Sequence, residues 1–171
     1  MNSSVFSPLE QLAGGSASSF MIYTQPGGGA AMLTLDQEPA SINAQYQMPG
    51  DAAQANGVPG WSSNEASGCW AFYRAQPECV ATSFDTGSPF TMATNSMPNA
   101  PAVGQAPAGT VLGLFTQDNQ SVWMLTAGPV AGQNQVQITN GDPAVNTGSA
   151  IFRSQAVTFD IKNGRVILSN H

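Results

Sequence analysis

The sequence predicts an all-β fold, a closed or partly open barrel or a sandwich of short strands with little helix. Short blocks of β-branched and aromatic residues recur along the chain, and turn-forming residues separate them. Glycine and proline contribute 18 and 12 of the 171 residues, so turn signals are frequent. A chain of this length buries about two thirds of its unfolded surface, so we expect one domain with a substantial core.

Nine blocks are predicted as strands, each bounded by a turn signal. Residues 26–29 (PGGG) separate the first two blocks and predict a hairpin. Asn163 and Gly164 lie between the last two blocks and are the strongest two-residue hairpin signal of the chain. In chain order the predicted strands are 19–24, 31–35, 69–73, 80–84, 110–115, 122–126, 135–139, 156–161 and 165–168.

Helix is predicted only near the start of the chain, over residues 7–12. Ser7 can act as the N-cap residue and Pro8 as the first helical residue, because proline has the backbone angle that a first turn needs. Glu10 follows at the third position and completes a capping box. The expected helix is one or two turns long.

Two long stretches, 39–68 and 93–109, are predicted as loops because polar and small residues dominate them. The expected organisation has two parts. Residues 1–50 form a segment with the short helix and the first hairpin, and residues 51–171 form a single β lobe.

The two cysteines, Cys69 and Cys79, lie on either side of the predicted turn at 75–77. Across an antiparallel hairpin they can face each other within reach of a disulfide bond. Two buried free thiols are the alternative. The composition resembles that of exported proteins, in which disulfides persist, and therefore favours the bridge.

Charge excludes several classes of function. Only 8% of the residues are charged, only four residues are basic, and the net charge is −6. Nucleic acid and anionic membrane surfaces are therefore not expected partners, because both are bound through lysine and arginine. The single histidine, His171, is the last residue, which excludes a histidine-based triad or zinc site inside the fold. No metal or cofactor is expected. Catalysis would have to use carboxylates, hydroxyls or backbone groups.

One segment, residues 84–90 (FDTGSPF), has the features of a catalytic loop. An apolar strand ends at Phe84, and the carboxylate of Asp85 follows at the strand end. Gly87 allows close backbone approach, and the hydroxyls of Thr86 or Ser88 can orient the carboxylate. An ordinary turn is the alternative, because Asp, Gly and Ser are typical turn residues.

Residues 84–88 resemble the catalytic loop of the pepsin-like aspartic peptidases, and residues 148–168 resemble the closing segment of their C-terminal lobe. The start of the chain is similar to the stretch that joins the two lobes of that family, where a short helix precedes two strands of the interlobe sheet. The resemblance covers nearly the whole chain and implies a pepsin-like acid protease lobe in 51–171 and an interlobe-type segment in 1–50. The matching residues of the closing segment are Gly148, Phe152, Arg153, Phe159, Asp160, Asn163, Gly164 and Arg165.

The resemblance implies an aspartic endopeptidase, a hydrolase in which two carboxylates share one proton and hold a water for attack on a polypeptide. Asp85 would be one of the two carboxylates. Thr86 would bond to a partner loop, Gly87 would permit close approach, and Ser88 would orient the carboxylate. Residues 146–149 (NTGS) would lie beside this loop, although the family prefers apolar residues at the first two of these positions.

Only one Asp-Thr-Gly occurs in the chain, so the second carboxylate must come from a missing N-terminal lobe or from a second copy of the chain. The sheet that contains the hairpin 19–35 is then expected to expose apolar surface for that partner. The alternative is a catalytically inactive peptidase-like β domain with a binding or structural role. The composition favours a secreted or extracytoplasmic location, and no signal peptide is visible in the sequence.

Overall fold

A computed structural model describes residues 18–24, 30–39, 41–51, 60–62, 65–73, 75–129 and 134–170. The prediction of an all-β fold is confirmed. The predicted helix at 7–12 and the turn at 26–29 lie outside the described residues. The strands are β1 (Ser19–Thr24), β2 (Ala31–Leu35), β3 (Ala44–Gln47), β4 (Gly50–Asp51), β5 (Gly60–Trp61), β6 (Ala66–Phe72), β7 (Glu78–Ser83), β8 (Thr91–Thr94), β9 (Gly104–Gln105), β10 (Val111–Phe115), β11 (Ser121–Thr126), β12 (Val136–Thr139), β13 (Ala144–Asn146), β14 (Ala156–Asp160) and β15 (Arg165–Ser169). A 3-10 helix, Gly148–Arg153, follows β13.

The chain forms two compact units, one of Met1–Ser63 with Arg153–His171 and one of Asn64–Phe152. The first unit therefore contains residues of both predicted segments, 1–50 and 51–171. It contains an antiparallel sheet in the order β2-β1-β14-β15-β3. One face of this sheet is apolar because alternate residues of each strand point the same way, and on it Phe20 stacks on Phe159 with ring centroids 4.7 Å apart.

The outer strand of this sheet, β2, exposes apolar side chains as expected. Leu33 and Leu35 are 46% and 42% exposed, whereas Val157 and Leu168, which lie on the same face of β14 and β15, are fully buried. An edge strand with exposed leucines offers a surface for another chain, because among the described residues no strand pairs with the outer side of β2.

The second unit is built around an eight-stranded sheet in the order β11-β10-β6-β7-β13-β8-β12-β9. Its core contains Trp70 and Trp123, whose rings meet edge to face with centroids 6.1 Å apart. The indole N–H of Trp70 donates to the Thr82 hydroxyl at 2.9 Å, which satisfies a buried polar pair. A Cβ on Gly68 would lie 2.5 Å from that hydroxyl oxygen, so only glycine leaves room for the pair.

The predicted disulfide is confirmed. Cys69 of β6 and Cys79 of β7 are bonded, and they are directly opposite each other in the antiparallel pairing. The bridge fixes the register of the two strands, and β7 leads directly into the loop that contains Asp85.

The prediction that 39–68 and 93–109 are loops is wrong in part. The first stretch contains β3, β4, β5 and the start of β6, and the second contains β9 and the last residues of β8. These strands form because partners far along the chain supply their hydrogen bonds: β3 pairs with β15, and β9 pairs with β12. Tertiary pairing of this kind overrides a weak local preference.

The hairpin at Asn163 and Gly164 is confirmed, but its turn is longer than predicted. The last cross-strand pair joins Asp160 to Arg165, so four residues form the turn instead of two. Gly164 has φ +65°, and a Cβ there would lie 2.6 Å from the Trp61 ring. The indole N–H of Trp61 donates to the carbonyl of Ile161 at 2.6 Å, so the tryptophan packs over the turn.

Candidate active site

The candidate site lies where three strands of the second unit interleave. β13 is inserted between β7 and β8, parallel to β7 and antiparallel to β8. The loop 84–90 joins β7 to β8 and must therefore pass the end of β13, where Asn146 is opposite Ser83. The prediction that 146–149 lie beside the Asp85 loop is confirmed.

The Asp85 carboxylate is half-buried and accepts hydrogen bonds at both oxygens. Oδ1 accepts from the backbone N–H of Gly87 at 2.7 Å, within the same loop. Oδ2 accepts from the side-chain amide of Asn146 at 2.9 Å, from the neighbouring strand. The backbone N–H of Asp85 makes a longer contact, 3.4 Å, with the Thr147 hydroxyl. Two segments of the chain therefore fix the position of this side chain.

The loop 84–90 and the segment 146–149 are held together by backbone and hydroxyl hydrogen bonds. Thr147 donates its N–H to Ser83 O at 2.9 Å, and Ser149 donates its N–H to Ser88 O at 2.8 Å. The buried hydroxyl of Thr91 donates to Thr147 O at 2.8 Å. The segment 146–149 is thus joined to the loop and to β8 by polar contacts, at a place where the resembling family prefers apolar residues.

Gly148 is required by the backbone at this contact. Its φ is +56°, and a Cβ placed on it would lie 2.2 Å from the carbonyl oxygen of Phe90. Both the left-handed conformation and the close approach favour glycine. The match of Gly148 to the closing segment of the resembling family therefore has a physical reason in this structure.

The remaining predicted site residues have different surroundings. Thr86 and Gly87 are exposed, and the predicted bond from Thr86 to a partner loop stays a prediction. The Ser88 hydroxyl donates to Phe90 O at 2.7 Å instead of to the Asp85 carboxylate. The side-chain donor to the Asp85 carboxylate is Asn146, where the sequence had indicated Ser88. An amide residue immediately before Thr147-Gly148, at a position where the family prefers an apolar residue, is the signal that could have indicated this.

No second acid bonds to Asp85 among the described residues. Asp142 precedes β13 and therefore lies at the end of that strand away from Asn146. Asp160 belongs to the other unit, where Arg165 binds it at 2.6 Å. Burial favours the neutral form of Asp160, but hydrogen bonds from Asn163 and Arg165, with the Arg165 charge, outweigh it and hold its pKa below the ordinary value.

The described residues contain no cluster of three or more His, Cys, Asp or Glu side chains arranged to hold a metal ion. Within the same part of the chain, no helix is long and apolar enough to cross a membrane.

Comparison with known proteins identifies similar folds. No protein-family model matches the chain, and no curated protein sequence does either. The crystal structure of basic 7S globulin from soybean is similar with a TM-score of 0.57 and 13% identity, over 96% of this chain and 56% of that one. Conglutin gamma, a unique basic 7S globulin from lupine seeds, has a TM-score of 0.53 and 14% identity, over 96% and 54%. At this identity the likeness shows the fold alone, and the chain spans little more than half of either globulin.

Proposed function

We propose that the chain is one lobe of a two-lobed aspartic endopeptidase and that Asp85 is one of its two catalytic carboxylates. The observation that carries the proposal is the position of Asp85 on a loop that passes the end of β13, with the Gly87 N–H on one carboxylate oxygen. This arrangement holds a carboxylate at a strand end with its backbone fixed, as the resemblance to the pepsin-like family implies.

The proposed chemistry needs a second carboxylate. One ionised carboxylate takes a proton from a water molecule as the water oxygen attacks the peptide carbonyl carbon, and the other, protonated, carboxyl donates its proton to the carbonyl oxygen. Two carboxyl groups about 3 Å apart do not both ionise, because the two negative charges repel each other, so the pair carries one proton. Asp85 supplies one member of such a pair, and the chain is expected to be inactive by itself.

The partner in this proposal is an N-terminal lobe or a second copy of the chain. Two observations support such a partner. The edge strand β2 exposes two leucines, and this chain spans little more than half of the length of each similar globulin. The substrate would be a polypeptide. The Cys69–Cys79 disulfide is compatible with a secreted or extracytoplasmic location, where disulfides persist.

A substitution of the proposed catalytic carboxylate tests this function. The chain is assembled with its partner, either at high concentration or by co-expression with an N-terminal lobe, and assayed for acid peptidase activity. Asp85→Asn is expected to abolish cleavage and leave the circular dichroism spectrum intact. Asp142→Asn, a change of an exposed acid in the turn before β13, is the matched control and should retain activity. Full activity of Asp85→Asn would refute the assignment.

A non-catalytic β domain is the second candidate function. The two similar structures are basic 7S globulins, from soybean and from lupine seeds. An inactive domain would bind no transition-state mimic. Calorimetry with a statine-type inhibitor therefore separates the candidates: binding by the assembled protein that Asp85→Asn removes supports the peptidase, and no binding under any condition of assembly supports the inactive domain.

A further inference from the structure

The side-chain amide of Asn146 bridges two parts of the candidate site. Its Oδ1 accepts from the backbone N–H of Gly148 at 2.8 Å, and its Nδ2 donates to Asp85 Oδ2 at 2.9 Å. The orientation of the amide is determined, because the Gly148 N–H can only donate and must face the amide oxygen. The nitrogen is therefore the atom that faces the carboxylate.

We propose that Asn146 is a positioning residue for Asp85, an inference that rests on the proposed function. The carboxylate has two anchors, the Gly87 N–H on Oδ1 and the Asn146 amide on Oδ2, and these fix the plane of the group. The lone pairs that remain free are those available to water and to the carboxylate of a partner lobe.

The chemistry of the anchor differs from that of a hydroxyl. A serine or threonine hydroxyl can turn and accept a proton from a protonated carboxyl, whereas the amide N–H of Asn146 can only donate. The Asn146 contact therefore uses Oδ2 as a hydrogen-bond acceptor, as the Gly87 N–H uses Oδ1, and the carboxylate is held by two donors that cannot accept a proton from it.

The backbone around Asn146 makes this anchor rigid. Asn146 ends β13 and is paired with Ser83 on one side and Met92 on the other. The residue after the glycine that binds its amide oxygen, Ser149, donates its N–H to Ser88 O at 2.8 Å and holds this segment against the loop 84–90. An apolar residue at position 146 would occupy the same place but leave Asp85 Oδ2 without this donor.

Kinetics of the assembled protein test the role. Asn146→Leu removes the donor and restores the residue class that the resembling family prefers, and Asn146→Asp keeps the shape but replaces the donor by an acceptor. Both are expected to lower kcat about 10- to 100-fold with KM within about threefold, because they disturb a charge-stabilising contact and no substrate contact. Asp142→Asn is the control. An unchanged kcat in Asn146→Leu would overturn the proposal.

A measurement that needs no activity keeps the two proposals separable. The Asn146 side-chain amide is followed by ¹⁵N NMR in the wild-type chain, in Asp85→Asn and in Asp142→Asn. Its resonances are expected to shift in Asp85→Asn alone, because the neighbouring charge is lost. Identical resonances in all three proteins would overturn the contact and the proposed role. If every assembled form is inactive, the proposed function fails, and the amide resonances alone decide whether Asn146 positions the Asp85 carboxylate.

Discussion

Substitution of Gly148 by alanine should be among the most damaging single changes in the second unit. Gly148 has φ +56°, and an alanine Cβ would lie 2.2 Å from Phe90 O, 2.6 Å from Phe90 C and 3.0 Å from Ser88 O. All three atoms belong to the backbone, so no side-chain rotation can relieve the collision. Relief requires the loop 84–90 to move away from the segment 146–149.

The magnitude follows from two terms. The left-handed conformation costs an alanine about 1–2 kcal/mol. A separation of the two segments by about 1 Å also lengthens the hydrogen bond from Ser149 N to Ser88 O, worth about 1 kcal/mol net, and loosens the packing around it. The two terms sum to about 2–3 kcal/mol and the loosened packing adds to them, so we expect Gly148→Ala to lower the free energy of unfolding by about 3 kcal/mol, well above a typical single substitution.

Gly109→Ala is the matched control, because Gly109 has φ +85° and no atom within 4 Å of an added Cβ. It carries the conformational strain without the collision and should cost about 1–2 kcal/mol. Urea unfolding followed by tryptophan fluorescence and circular dichroism measures both variants. If Gly148→Ala is destabilised by no more than Gly109→Ala, the account of the contact between the two segments is wrong.

Three further predictions concern stability. Replacing Cys69 and Cys79 by alanine should lower the free energy of unfolding by about 3 kcal/mol, the value expected for a short closed loop, and an unchanged urea midpoint would contradict this. Because the folded pKa of Asp160 lies below its ordinary value, its stabilising effect is complete above about pH 4 and is lost as the pH falls through the folded pKa. Asp160→Asn should therefore be less stable than wild type at pH 7 and lose this difference toward pH 2, whereas parallel stability curves would refute the sign. Trp70→Phe should cost about 1–3 kcal/mol because the buried Thr82 hydroxyl loses its donor, and adding Thr82→Val should recover part of the loss in thermal unfolding; no recovery would contradict the pairing.

The features that the sequence predicted correctly are those encoded by neighbouring residues. The hairpin 156–168 has apolar blocks on both sides of Asn163 and Gly164, and the disulfide follows from two cysteines flanking one turn. The position of Asp85 follows in the same way, from an apolar strand that ends in a turn. Local patterns of this kind determine which residues form strands and turns.

The features that could not be predicted from the sequence depend on strand partners far along the chain. β13 is only three residues long, and it is a strand because β7 and β8, more than 50 residues earlier, enclose it. β3 likewise depends on β15. The role of Asn146 requires this insertion, since its amide reaches Asp85 only after β13 lies between the two earlier strands. Local propensity carries no information on such pairings.

The dependence of peptidase rate on chain concentration tests the central claim most directly. The purified chain is assayed on an unfolded protein substrate at acidic pH across a dilution series, with its mass followed by sedimentation. We predict no activity from the monomer, and activity that rises with the square of chain concentration where a homodimer forms, or that requires an added N-terminal lobe. A chain that stays monomeric and cleaves in direct proportion to its concentration would contradict the two-carboxylate account.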